Sequence, residues 1–287
     1  MAERKGQHHG RTWWRQWILP LGSGALVVLA VGIGVLWWQA PAFYDNVDPE
    51  PQATATATTR AGILAVFAAT VAALGAIVAL AETRRANREA DQRERYTKAI
   101  DQLGTTGDDK VDVRLGGIYT LQRIAQDSDR DLHTVVEVLC AFVRGHGLGP
   151  EDDSYDKDLY GHRPPADVQA ALTAIGRVHL PGNSYIDLEG AHLERANLIR
   201  ANLSGAFLTE AKLTGATMVE VDLSGAILSG ASLDYATPHD ANLAGADLGV
   251  ANLNYVILSG TDLTHADLSH TEMDYADLTR ANLDGAT

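Results

Sequence analysis

The side chains that most often carry enzyme chemistry are few and scattered in this sequence. The single cysteine, Cys140, has no partner for an internal disulfide, and one thiol cannot build a four-cysteine zinc site. His265 and His270 stand five residues apart and would need a third ligand to hold a metal, while His8 and His9 lie in the N-terminal tail. The glycine, serine and histidine spacings of phosphate loops, nucleophile elbows and zinc proteases are absent from the sequence. We therefore predict a protein that is not an enzyme and that uses no cofactor or metal.

The composition limits the classes of partner that the protein can bind and the kinds of side chain that can form its core. The chain of 287 residues carries 37 acidic and 23 basic side chains, a formal net charge of -14. No nucleic acid is expected as the main partner, because phosphate backbones are bound by Lys and Arg. The acidic run at 151–158 lacks the spacing and central glycine of an EF-hand, so we interpret it as a solvated loop. Aromatic residues make up only 6%, so the core must use small aliphatic side chains in a regular arrangement.

Two uncharged segments near the N-terminus, 18–38 and 61–81, predict two transmembrane helices. Each has 21 residues, close to the roughly 20 that cross the hydrocarbon core as a helix. Tryptophans stand at both ends of the first segment, as in the aromatic belts of membrane proteins: Trp13, Trp14, Trp17, Trp37 and Trp38. A stripe of alanines would let a second helix pack closely, either the first span or another copy of the chain. A single membrane anchor is the main alternative.

The flanking charges predict the orientation of these spans. The tail 1–17 is basic, the loop 39–60 is acidic, and Arg84, Arg85 and Arg88 follow the second span. By the positive-inside rule, both termini are cytoplasmic and 39–60 is a short flexible external link. We thus expect a multi-pass protein of the cell (inner or plasma) membrane. The arginines either contact anionic membrane lipid or form a solvated helix face.

The segment 82–177 predicts a cytoplasmic helical neck that includes an acidic loop. Apolar residues at helical spacing predict four helices, at 82–103, 111–126, 129–144 and 166–176. Gly116 and Gly117 fall inside the second of them, where each glycine costs about 1 kcal/mol relative to alanine. We expect a closely packed neighbouring helix to be the reason. Cys140 falls in the third helix and is interpreted as a buried structural thiol.

From Ile186 to Thr287 the sequence repeats every five residues. The central position, residue 188 and every fifth residue to 283, is Leu in 17 of 20 cases. The position two earlier is Ala in 16 of 21 cases. Neither the 3.6-residue helix nor the two-residue strand alternation gives this period, so it indicates a solenoid whose core is built by stacking.

The motifs Ala-Asn-Leu-Ser-Gly at 201–205, Ala-Asp-Leu-Thr-Arg at 276–280 and Ala-Asn-Leu-Asp-Gly at 281–285 resemble those of the pentapeptide repeat proteins. The resemblance implies a right-handed quadrilateral β-helix over 178–287, with one pentapeptide per side, four per coil and about five coils. The segment 82–177, with Arg114-Leu115-Gly116-Gly117-Ile118, resembles the neck of membrane-anchored bacterial members of this family. The expected fold class is therefore mixed: two transmembrane helices, a helical neck and a C-terminal β-helix.

With four pentapeptides per coil, residues twenty apart stack on one face, and some outward positions become notable. The resulting candidates for an interaction surface are a tyrosine ladder with an isoleucine across the corner, and an apolar pair on another face: Tyr235, Tyr255, Tyr275 and Ile257, then Phe207 and Ile227. These groups either form a docking surface or only stack between coils. Pro238, which lacks an N–H, is expected to mark a bulge or bend in the core, where Met218 fills the gap.

These features favour a membrane-tethered scaffold that presents an acidic column to a cytoplasmic protein of unknown identity. The repeats carry 15 acidic and 4 basic side chains, a net charge of -11. The alternative is a DNA-mimicking regulator of a type II topoisomerase, because some soluble pentapeptide repeat proteins act in that way. Two spans and the lack of a terminal dimerisation helix disfavour it. Repeats continue to the last residue, so the final coil, with Leu283, is expected either to fray or to pair with a second copy as a homodimer.

Overall fold

The computed structural model describes residues 49–147, 163–178 and 186–287, together with the isolated helical positions 32, 35, 38 and 39. The predicted basic tail 1–17, nearly all of the predicted span 18–38 and the acidic run 151–158 lie outside the described residues. The chain divides into two compact units, Met1–Ala90 and Asp91–Thr287.

A single helix, α1, runs without interruption over Pro49–Leu103, which is 55 residues. It corrects the predicted flexible link, because residues 49–60 are helical. Pro49 and Pro51 fall in the first turn, where backbone N–H groups have no partner within the helix and proline therefore costs little. The threonines are also satisfied inside the helix: Thr58 Oγ1 donates to the carbonyl of Thr54 at 2.8 Å.

Part of α1 is long and apolar enough to cross a membrane, judged by length and composition. An 18-residue window of this helix reaches a mean hydropathy of 2.6, and none of it is buried by the rest of the described chain. Large apolar side chains are exposed along it: Leu64, Val66, Val71, Ile77, Val78 and Leu80. The predicted span 61–81 lies within this helix. The number of spans and the cytoplasmic placement of both termini stay predictions.

The second unit begins with a helical bundle, described over residues 91–147 and 163–178 and built from the end of α1 and three shorter helices. These are α2 (Val111–Asp127), α3 (Asp129–His146) and α4 (Ala166–Gly176), with a 3-10 turn at Asp108–Lys110. The helices predicted at 111–126, 129–144 and 166–176 are confirmed to within two residues. Their apolar faces form a core in which the following side chains are buried: Ile118, Leu121, Val136, Leu139, Leu172 and Ile175.

The two glycines inside α2 turn out to have different surroundings. A Cβ on Gly117 would lie 2.7 Å from the Ala99 carbonyl oxygen and 3.0 Å from the Leu103 nitrogen, so α1 packs directly on it. The expected reason is thus confirmed for Gly117. It is wrong for Gly116, where a Cβ would meet only the side chain of Gln102, at an ordinary contact distance of 3.7 Å.

A buried ion pair joins α2 to the start of α4. Arg114 Nε donates to Asp167 Oδ2 at 2.5 Å, and both side chains are almost fully buried. Arg114 Nη1 also donates to the carbonyls of Thr105 and Gly107, at 3.0 and 2.8 Å. Asp167 Oδ1 accepts the N–H of Val168 at 3.0 Å. The pair is therefore well supplied with partners, which is the condition under which a buried ion pair is tolerated.

Residues 186–287 form a β-helical column in which every fifth residue turns the chain. Parallel bridges join residues twenty apart, from Asp187 with Phe207 to Asp262 with Asn282, so four pentapeptides make one coil. Hydrogen bonds run both ways along each face: Leu193 N–H donates to the Lys212 carbonyl, and Lys212 N–H donates to the Ala191 carbonyl. The central leucines and the alanines two residues earlier are buried over most of the column.

A β-turn closes each pentapeptide, whose five residues are numbered here with the central leucine third. The first residue of the next pentapeptide donates back to the third, as Ala191 N–H does to Leu188 at 3.1 Å. The fifth residue has φ between 52° and 74°, as in a type II turn. Glycine adopts this conformation at little cost, which explains its frequency there.

Pro238 does not cause the predicted bulge. Residues 236–240 keep the same pattern of bridge and turn as their neighbours. The effect of the proline is local. The bridge between Thr237 and Ile257 is missing from the series of residues twenty apart, because proline offers no N–H to the ladder. Met218 is fully buried beside it. The buried Thr261 donates its hydroxyl to the Pro238 carbonyl at 2.6 Å, which ties the two coils together.

The helical bundle covers the first coil of the column through α4. The side-chain amide of Gln169 makes the two backbone hydrogen bonds that a preceding coil would make. Its Oε1 accepts the Asn197 N–H at 2.9 Å, and its Nε2 donates to the Asn197 carbonyl at 2.8 Å. The Gly176 carbonyl accepts the Asn202 N–H at 2.8 Å. A Cβ on Gly176 would lie 2.6 Å from Ala201 Cβ, so only glycine allows this approach.

Candidate interaction surface

The second position of the pentapeptide has a structural role that the sequence analysis missed. Asp or Asn stands there in 11 of the 20 pentapeptides from 186 to 285. Its Oδ1 accepts the N–H two residues later: Asp247 from Gly249 at 3.0 Å, and Asn252 from Asn254 at 3.0 Å. The recurrence of short amide and carboxylate side chains before the central leucine was the available signal, since these side chains stabilise turns in this way.

This role explains only part of the acidity of the column. Six of the turn residues are Asp, at 187, 222, 247, 262, 267 and 277, and five are Asn, at 197, 202, 242, 252 and 282. The hydroxyl and backbone N–H of Thr279 lower the pKa of Asp277, and those of Ser269 lower the pKa of Asp267. Because Asn makes the same turn bond, the turn does not require the negative charge.

The predicted tyrosine ladder is present as a stack of parallel rings. The ring centroids of Tyr235 and Tyr255 are 4.8 Å apart with planes 1° from parallel, and those of Tyr255 and Tyr275 are 4.9 Å apart at 8°. Tyr255 is 44% exposed and Tyr275 is 79% exposed. All three occupy the fifth position, with φ of 59°, 58° and 60°. The geometry of the ladder is thus confirmed, while its use as a docking surface stays a prediction.

The backbone conformation makes this ladder costly for stability. A residue with a Cβ in the left-handed region costs about 1–2 kcal/mol, whereas glycine adopts that region readily. An aromatic pair contributes about 0.5–1.5 kcal/mol beyond the area that it buries. Two ring pairs offset part of the three backbone costs, and the area that the stacked rings bury offsets more. Twelve of the twenty fifth positions from 186 to 285 carry a residue other than glycine, so the tyrosines are set apart by their stacking and exposure rather than by their backbone conformation.

Carboxylates surround the ladder. Asp234 and Asp274 each precede a ladder tyrosine, and Asp277 bridges to Ile257, which is 42% exposed across the corner. Asp234 accepts the hydroxyl of Thr214 at 2.9 Å. Within the part of the chain that the structure describes, these three carboxylates form no ion pair. The surface is consequently aromatic along its centre and acidic at its edges.

The structure places Phe207 and Ile227 together, as predicted, but in a different setting. They bridge each other on another face of the column and are both half-buried. Phe207 also lines a cavity of about 500 Å³ with Cys140, Arg144 and Asp187, beneath α3. The apolar pair and the tyrosine ladder therefore do not combine into one surface.

Cys140 is a buried thiol in this cavity wall, as predicted. It is 1% exposed, and burial raises its pKa to about 11. Arg144 and Asp187 form an ion pair beside it. Among residues 49–147, 163–178 and 186–287, no group of three or more His, Cys, Asp or Glu side chains is placed to hold a metal ion.

The last pentapeptides are less well covered than the rest of the column. Leu283 is 42% exposed, and the inward side chains of Leu268, Met273 and Leu278 are only partly buried. The pairing of this coil with a second copy stays a prediction.

Residues 184–285 match the family model described as pentapeptide repeats, in eight copies. The solved structure of HetL from Nostoc sp. strain PCC 7120, a pentapeptide repeat protein involved in heterocyst differentiation regulation, is 32% identical, with 36% of this chain and 52% of that chain covered and a TM-score of 0.22. Rfr23 from the cyanobacterium Cyanothece 51142 is 33% identical over 35% of this chain and 65% of that one, with a TM-score of 0.23. QnrB1, a plasmid-mediated fluoroquinolone resistance protein, is 17% identical over 36% and 61%, with a TM-score of 0.24.

The chain thus spans about half to two thirds of the length of these solved relatives. No curated protein matches it. The fold of the family, a right-handed quadrilateral β-helix, agrees with the register of twenty residues per coil.

Proposed function

Because this chain belongs, through residues 184–285, to the pentapeptide repeat proteins, we propose that it is a non-enzymatic scaffold tethered to the membrane by α1. The scaffold presents its acidic column to a cytoplasmic protein partner. The observation that carries this proposal is the exposed tyrosine ladder with carboxylates at its edges.

The ladder has the properties of a good docking surface. Tyrosine offers a large, amphipathic contact area with few rotatable bonds, so little conformational entropy is lost when a partner binds. Hydrogen bonds between coils hold the backbone under each ring, and the ring spacing is fixed by the coil. Carboxylates without ion pairs at the edges add selectivity for a partner with basic side chains.

The test compares two exposed side chains that share a backbone conformation. Tyr255→Gly removes one ring of the ladder at φ 58°, and Val250→Gly removes a side chain at φ 62° on another face. Glycine relieves the backbone cost at both positions, which in Tyr255→Gly offsets part of the two ring pairs that are lost, so both variants should remain folded. We expect capture of the partner from native membranes to fall at least tenfold for Tyr255→Gly and to be unchanged for Val250→Gly. Equal capture by both variants would contradict the proposal.

A second candidate, regulation of a type II topoisomerase by DNA mimicry, is favoured by one observation, the net charge of -11 on residues 186–287. Replacing Asp222, Asp262 and Asp277 by Asn keeps each turn bond and removes three charges. We expect the purified full chain to leave DNA supercoiling by gyrase unaffected. Dose-dependent inhibition that the triple variant loses would establish mimicry instead.

The membrane topology is part of the same proposal: two spans, contact with membrane lipid, and both termini in the cytoplasm. A cysteine replacing Asn46 should react with an impermeant maleimide added to intact cells, and one replacing Thr287 should not. The reverse pattern would rule out this orientation.

Homodimer formation through the final coil is tested by light scattering of the solubilised protein: a dimer mass that Leu283→Asp reduces to a monomer mass supports it.

A further inference from the structure

A basic groove lies on the helical bundle, away from the column. It has a volume of about 590 Å³ and runs between the last turns of α1 and the facing side of α2. Its polar lining comes from both helices: Arg95, Lys98 and Gln102 from α1, and Tyr119 and Arg123 from α2. The proposed docking function of the column makes no use of this groove.

The charge of the groove is opposite to that of the chain as a whole. Three cations and no carboxylate line it, although the chain has a net charge of -14. Arg95 contacts Asp91 at 2.7 Å and Arg123 approaches Asp127 at 4.0 Å, but both carboxylates lie one turn away on the same helix. Lys98 forms no ion pair within the described part of the chain. An anion in the groove would be met by positive charge from two sides.

The floor of the groove contains Gly116, which helix packing does not require. A Cβ there would meet only Gln102, at 3.7 Å, and the glycine costs α2 about 1 kcal/mol relative to alanine. A longer side chain at this position would project into the groove. Gly116 therefore keeps open a space that a larger residue would fill, which is a second observation, independent of charge, that points to a ligand.

We propose that this groove binds a small soluble molecule that carries two or more phosphate groups, such as a nucleoside diphosphate. Its volume lies within the range of about 300–1,000 Å³ that is usual for ligand sites. Arginine and lysine are the side chains that bind phosphate best, and the phenol of Tyr119, exposed at the edge, offers a ring face and a hydroxyl to the rest of the ligand. The same phosphate chemistry could come from a lipid head group, so the experiment separates the two sources.

Isothermal titration of the detergent-solubilised full chain with ADP, and separately with pyrophosphate, at 0.15 M salt is the first measurement. We expect the Lys98→Gln/Arg123→Gln variant to weaken binding of both probes at least tenfold. Arg84→Gln/Arg88→Gln, which removes the same charge from α1 outside the groove, should change it less than twofold. The proposal would be overturned if neither ADP nor pyrophosphate bound at millimolar concentration. It would also be overturned if the two double variants weakened binding equally.

Gly116→Leu provides a test that does not depend on charge. The substitution improves the helix propensity of α2, so the melting temperature should be equal or higher, while the filled groove should lose ADP at least tenfold. Retained binding in this variant would overturn the proposal.

The last experiment measures binding of the chain to vesicles of phosphatidylcholine with 20% phosphatidic acid. If groove-dependent binding occurs to these vesicles while ADP does not bind, the ligand is a lipid head group and the soluble ligand is excluded.

Discussion

The helical bundle and the column hold together in opposite ways. In the bundle, stability depends on unique contacts between residues far apart in sequence, such as Arg114 with Asp167. In the column, the same few contacts recur every five residues: a buried leucine, a buried alanine, a turn bond and a pair of ladder bonds. The bundle is therefore sensitive at single sites, whereas the column has many outward positions that are free to carry a binding surface.

The largest expected effect is at the unique contact of the bundle. Arg114→Met leaves the carboxylate of Asp167 buried without its partner, and we expect a loss of about 3–5 kcal/mol in the free energy of unfolding. Urea unfolding of the solubilised chain, followed by circular dichroism, measures it. Arg123→Met, at an exposed pair on the same helix, should change stability by less than about 1 kcal/mol. A similar small change for both variants would remove the contrast between the two regions.

In the column, the loss of stability from replacing a central leucine by alanine should increase with the burial of that leucine. Leu228→Ala empties a fully buried position and should cost about 2–5 kcal/mol. Leu283→Ala, at a position that is 42% exposed, should cost clearly less. The comparison is made by the same unfolding measurement. Equal costs would mean that the last coil is covered in solution, for example by a second copy.

The pH dependence of stability should report the buried thiol of the bundle. The pKa of Cys140 rises from 9.0 to about 11 on folding, so its neutral form is favoured in the folded state. The contribution of this thiol to the free energy of unfolding is fully present below pH 9. It is lost as the pH rises from 9 to 11, with a loss of about 1.4 kcal/mol at pH 10. The native chain and Cys140→Ala should therefore diverge over this pH range. Parallel curves would show that the thiol titrates normally.

The smallest effect concerns backbone strain at one turn of the column. Val250 is β-branched, 68% exposed and held at φ 62°, a conformation that suits glycine far better. Val250→Gly should raise stability by about 1 kcal/mol. Gly245→Val, the reverse change in the preceding turn at φ 66°, should lower it by a similar amount. A loss of stability in Val250→Gly would show that the valine side chain makes a contact worth more than the strain.

The contrast between the two regions also explains what the sequence could predict. The five-residue period predicted a stacked column, because it depends only on local spacing. The register of twenty residues and the tyrosine ladder followed from the resemblance to pentapeptide repeat proteins, which implied four pentapeptides per coil. The pairing of Gln169 with Asn197 could not be found in this way, since it joins a helix to a coil 28 residues later. The helical start at Pro49 was missed because proline breaks helices everywhere except in their first turn.

The bulge expected at Pro238 was wrong for a related reason. One ladder bond is lost because proline has no N–H, but the neighbouring coils hold the backbone in register through their remaining bonds, including the one from the Thr261 hydroxyl to the Pro238 carbonyl. Gly116 shows the reverse limitation: in sequence it is indistinguishable from Gly117, and only the packing of α1 separates a glycine that is required from one that leaves a groove open.

The central claim, that the tyrosine ladder is a docking surface, is tested most directly by a photo-crosslinking side chain introduced at Ile257 in native membranes. The matched control is Ile199, which is similarly exposed on the same face of the column but lies two coils away from the ladder. We expect one dominant crosslinked protein from position 257, which is absent from position 199 and is abolished by Tyr255→Gly. Crosslinks that are equal at both positions, or that persist without Tyr255, would contradict it.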